Sequence, residues 1–176
     1  MNNRVTMALI AVAIGWATVG CESTGVGPGE SGDAGPHVGV CDGAPATSQA
    51  ATIHVTRSTN SPELTVTVYC DGSAQRTLGE AGANNSLGVE AKTYAPNSPE
   101  VAMFLADLDA VGDVSAIPAS PANANLQSDC AKSASFGTVT TVAAQGKTSG
   151  DIQCMKDPTS AQTALAADCR VLAPWP

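Results

Sequence analysis

From Ala51 to Arg57 apolar and polar residues alternate, Ala51-Thr52-Ile53-His54-Val55-Thr56-Arg57, the period of a strand with one buried face. Asn60-Ser61-Pro62 interrupts the run as a turn. The alternation resumes from Glu63 to Cys70, with Leu64, Val66, Val68 and Cys70 on one face and Thr65, Thr67 and Tyr69 on the other. Asp71-Gly72 is a two-residue hairpin signal that returns the chain through Ala74 to Leu78. An antiparallel meander is expected. Glu80 to Asn97, rich in Gly, Asn and Ser, reads as a loop in which Val89 to Tyr94 has room for a short strand.

The period then changes. Ser98 is an N-cap residue, Pro99 stands at the first helical position, and Glu100 meets the positive end of the dipole. Val101, Phe104, Leu105, Leu108 and Val111 recur at helical spacing until Gly112 stops the helix, leaving Asp107 and Asp109 toward water. A Pro-, Ala- and Asn-rich loop runs to Ser128. Phe136 to Ala144 is β-prone, Gln145 to Gly150 turns, and Asp151 to Met155 returns as a strand. Thr159 or Ser160 caps a second helix in which Ala161, Leu165, Cys169 and Leu172 share the inward face. This order predicts an α+β fold, a small antiparallel sheet with two helices on one face.

Composition narrows the function classes. The chain has 16 acidic residues against 8 basic ones, a net charge of −8. Such a surface repels phosphate backbones and anionic lipid heads, so neither nucleic acid nor electrostatic membrane adhesion is expected. Aromatic residues make up 3% of the chain, too few to line a sugar or base-stacking platform.

The first residues supply another way to reach a membrane. Met1-Asn2-Asn3-Arg4 is a short positive segment, and Val5 to Val19 is almost wholly apolar. That run falls short of the roughly 20 residues a spanning helix needs and fits the core of a signal peptide. Thr18-Val19-Gly20-Cys21 resembles the lipobox of bacterial lipoproteins, with Thr18 where that motif usually has Leu. The resemblance implies lipid on the Cys21 thiol and cleavage in front of it. Residues 1–20 are then a signal peptide, 21–50 a flexible Gly/Ser/Pro-rich tether, and 51–176 a single extracytoplasmic domain anchored to the cell membrane.

Export favours disulfides. With Cys21 lipidated, Cys41, Cys70, Cys130, Cys154 and Cys169 remain, an odd number, so at least one thiol stays free or pairs between molecules. Cys154 precedes the second helix and Cys169 lies late in it. About 15 Å of helical rise separates such positions, which disfavours their pairing and leaves Cys130 to join either one. Cys41 is the odd cysteine or a staple to Cys70.

Chemical motifs fall short. Gly146-Lys147-Thr148 imitates the end of a phosphate loop, but Thr141 stands where its first glycine belongs. Asp107 to Asp113 imitates a calcium loop, but Val111 occupies a ligand position and Pro118 the place of the bidentate Glu. With only His37 and His54, and no CxxC, G-x-S-x-G or H-E-x-x-H, no metal site, cofactor or catalytic set is expected.

A pattern across some 105 residues resembles the bacterial subtilisin-inhibitor-like domain. It comprises the Thr/Val strand from Leu64 to Cys70, the Pro-started helix from Ser98 to Asp113, Cys130 ahead of a strand, and a later cysteine. The family's helix also carries a cysteine bonded to the strand cysteine, and Met103 to Leu105 supply none. The resemblance implies a reactive bond at Lys132–Ser133 and a trypsin-like protease as partner. That inhibitor is the alternative; the leading expectation is a non-catalytic, lipid-anchored module that binds a protein or small ligand.

Overall fold

A computed structural model describes residues 39–58, 61–79, 85, 88–118 and 137–175, all within one unit, Pro36–Pro176. Alternation produces strands where expected: β1 (Gln49–Val55), β2 (Leu64–Tyr69) and β3 (Ala74–Leu78). A short β4 (Lys92–Tyr94) lies within the anticipated loop. Helix α1 (Pro99–Val111) is followed by a 3-10 turn at Val114–Ala116, then β5 (Thr140–Ala144), β6 (Lys147–Thr148) and α2 (Ser160–Leu172). The described strands form one antiparallel sheet in the order β4-β3-β2-β1-β5-β6. The fold is α+β, as the pattern required.

The buried positions of β1, β2 and β5 face the helices. Ile53, Val55, Leu64, Val66, Val68 and Val142 join Val101, Phe104 and Leu108 of α1 and Leu165, Cys169 and Leu172 of α2 in one core. Each fully buried Leu, Ile or Phe there contributes about 1.5–3 kcal/mol of transfer free energy.

Two turns differ from expectation. The β2–β3 connection is a three-residue loop, Cys70–Gly72, not a two-residue one: Gly72 N donates to Tyr69 O at 3.1 Å, and Tyr69 N donates to Ser73 O at 2.9 Å. Gly72 sits at φ 75°, and a Cβ on it would stand 3.0 Å from Asn97 N, so the position excludes a side chain twice over. After β5 the chain reverses at once through Gln145 and Gly146, with φ 51° and 72°. The return strand is therefore β6, and Asp151–Met155 has no strand. Asp151 instead folds back on β5, its Oδ1 accepting from Thr140 N and Gln153 N at 3.0 and 3.2 Å.

Both helices start as read, with one exchange. Ser98 precedes α1 but donates its hydroxyl to Glu100 Oε2 at 2.7 Å rather than capping the backbone. Thr159 caps α2 through a complete capping box with Gln162.

Part of the Gly-rich stretch read as tether is ordered by local bonds. Asp42 N donates to Gly39 O and Ala44 N to Cys41 O, both at 3.1 Å. Val40 and Cys41 pack against the core. Cys41 is bonded to Cys70 with Cα atoms 5.5 Å apart, which settles its alternatives in favour of the staple.

Candidate functional site

The helices cover one face of the sheet, and the other carries Thr52, His54, Thr65, Thr67, Tyr69 and Thr141, all half-buried. Strand register arranges all of these but Tyr69 in two rows. Thr93, Gln75, Thr67, Thr52 and Ala143 stand opposite one another across β4, β3, β2, β1 and β5. Thr77, Thr65, His54 and Thr141 form the second row. Strands about 4.8 Å apart and a two-residue repeat of about 6.8 Å turn this into a regular lattice of hydroxyls and methyls. Each threonine both donates and accepts a hydrogen bond. A chain of net charge −8 thus presents two rows without a carboxylate. At their edge His54 Nε2 meets Glu63 Oε1 at 2.6 Å, the two side chains 39% and 46% exposed. The pair spans the β1–β2 connection, with His54 turned outward on its strand as expected and Glu63 one residue ahead of β2.

A second cluster lies between the helices. Asp168, on the inward side of α2, is only 7% exposed, and its Oδ2 has no hydrogen-bond partner among the described residues. Burial and the Asp107 carboxyl facing it from α1 push Asp168 up to about 6. Asp107 and Asp109, expected to face water, are half-buried. Their positions border the stripe of Phe104 and Leu108, so docking α2 and the N-terminal segment covers them. Asp109 Oδ1 accepts from Val40 N at 2.6 Å. The resemblance of Asp107 to Asp113 to a calcium loop dissolves into separate partners. Asp113 caps the 3-10 turn through Ser115 N and meets Lys147 Nζ at 2.7 Å. Lys147 and Ser115 hold its carboxyl down at about 2. Among the described residues no group of three His, Cys, Asp or Glu could hold a metal.

Arg76 was invisible as a special residue. It occupies an inward position of β3 at 9% exposure. Its Nε donates to Glu90 O at 2.8 Å and a terminal amino group to Leu172 O at 3.1 Å. A cation thus closes the C-terminal end of α2.

The thiols separate cleanly. Cys169 is free and buried in α2, its thiol pushed well up by burial first and by the Asp168 charge second. Cys154 is disulfide-bonded, whereas Cys169 is not. The disfavoured Cys154–Cys169 bridge is accordingly not formed. Cys21, Cys130, Lys132 and Ser133 lie outside the described residues, and the lipidation and reactive-bond readings rest on sequence. No helix of the described residues is long and apolar enough to cross a membrane. No protein-family model matches the chain, and neither does any curated protein or solved structure.

Proposed function

We propose that this chain is a lipid-anchored extracytoplasmic module that binds a polar partner on the open face of its sheet. The observation carrying the binding reading is the carboxylate-free double row centred on Thr52, Thr65 and Thr67, set on an otherwise acidic protein. Side chains branched at Cβ are restricted at χ1 and lose little entropy when a ligand settles on them. A rigid sheet also holds their spacing fixed, which suits a repetitive surface of hydroxyls, amides or carbonyls. Support for the anchor is Thr18-Val19-Gly20-Cys21 at the end of an apolar run, followed by Gly-, Ser- and Pro-rich chain. A domain tethered by lipid has no need of its own charge to stay at the surface.

Two measurements test the halves separately. Replacing Cys21 by Ala is expected to move the protein from the membrane to the soluble fraction; retention after a carbonate wash would refute the anchor. A photo-cross-linking residue at Thr67 is expected to form a discrete adduct on intact cells, whereas one at Lys156, on the exposed approach to α2, forms none. Equal labelling from both positions would refute the open face as the binding surface.

A further inference from the structure

Asp168 is placed where a carboxylate is costly. It lies beside Leu165 and Cys169 on the inward side of α2, nine-tenths buried, with Oδ2 unpartnered among the described residues. The group that bears on it is Asp107, another carboxyl, from the facing helix. Two carboxylates have no donor between them and repel; adding one proton converts the same pair into a donor and an acceptor. The neighbouring charges are otherwise engaged. Asp109 accepts from Val40 N, Asp42 from Gly39 N, and Arg76 donates to two carbonyls. Arg170 is exposed and stands over the Trp175 ring, 5.9 Å from its centroid. A calcium-sized cation needs six or more oxygen ligands, and this seam of two carboxyls among Leu and Phe side chains supplies too few.

We propose that the α1–α2 seam is a proton-dependent latch, in which one proton shared by Asp107 and Asp168 holds the helices closed over the Cys169 thiol and its loss loosens them. The buried thiol one residue along α2 reports the state of the seam. Cys169 is shut in when the pair is protonated and becomes reachable when the two negative charges push the helices apart.

The direction follows from the proton balance. In an open or unfolded chain Asp168 titrates near 3.8, whereas in the closed seam it holds its proton up to about 6. Between these values the closed state binds a proton that the open state does not, so closure weakens as pH rises through the window. Below it both states are protonated and the latch is fully set. A displacement of about two units corresponds to a change of roughly a hundredfold in the open-to-closed ratio.

The test is the rate at which Cys169 of the full, membrane-extracted chain is alkylated between pH 4.5 and 8 without reductant, read by peptide mass spectrometry. Thiolate formation raises the rate about tenfold per pH unit in every variant. Wild-type protein is expected to show an additional rise of roughly twenty- to thirtyfold, which starts at the acid end of the range and levels off just above pH 6. Asp107→Asn supplies an amide donor to the Asp168 carboxylate and is expected to shrink that extra rise, and Asp168→Asn to remove it. Because Asp168→Asn can fail to fold, Asp107→Asn, at a half-exposed position, carries the decision. A wild-type slope equal to that of Asp107→Asn overturns the latch. So does slowing of wild-type labelling by millimolar calcium or manganese at pH 7.5, which assigns the pair to a metal ion instead.

Discussion

An arginine at an inward position of a β-strand is normally destabilising, because its charge cannot be left dry without partners. Arg76 is tolerated since its fork reaches two carbonyls in different elements, Glu90 O and Leu172 O. The second of these is an orphan acceptor at the end of α2, so one side chain both satisfies itself and terminates a helix. Replacing Arg76 by Ala is expected to cost about 2–4 kcal/mol in urea unfolding, combining the lost charged hydrogen bonds with lost packing of its stem. Lys at the same position is expected to recover less than half, because a point ammonium lacks the planar fork that spans both acceptors. A neutral result for Arg76→Ala would mean that water replaces the guanidinium at the helix end.

At the scale of elements, what was legible followed from period and punctuation. Leu64, Val66 and Val68 announced β2 and its inward face, and Pro99 with Gly112 bounded α1 within a residue of its observed ends. The β5–β6 hairpin was misplaced because Gln145-Gly146 lacks the Asn or Asp that usually marks two left-handed residues in succession. With Gln145 at φ 51°, Gln145→Asn is expected to stabilise the protein by about 0.5–1 kcal/mol. Calorimetry showing a lower melting temperature would contradict the turn geometry. The open face was legible in part: alternation put Thr65, Thr67 and His54 outward, but only strand pairing sets Thr52 opposite Thr67. The Asp107–Asp168 contact was illegible. It joins residues on different helices, and a periodic pattern reads every helix acid as solvent-facing until the partner helix is known.

For the whole molecule, the sheet and both helices share a single core, with Val40 and Cys41 packed against it from the segment that leads into β1. The Cys41–Cys70 bond closes a loop with a sequence separation of 29. In the chain-entropy account this contributes about 3–4 kcal/mol by restricting the unfolded state. It also sets the route of mechanical load. A pull on the chain at Gly39 does not reach β1 through Ser48; it crosses the disulfide and enters at Cys70, at the far end of β2. Everything from Asp42 to Tyr69, including both central strands, is shunted out of the force path and cannot be peeled one residue at a time. Stretching a single molecule between residues 39 and 175 is therefore expected to release about 100 Å less contour length than stretching a Cys41→Ser, Cys70→Ser variant. Equal lengths would show that the bond does not form in the folded protein. A domain held by its N-terminal side at a moving surface would in this way be tugged by a covalent bypass, with its two central strands slack.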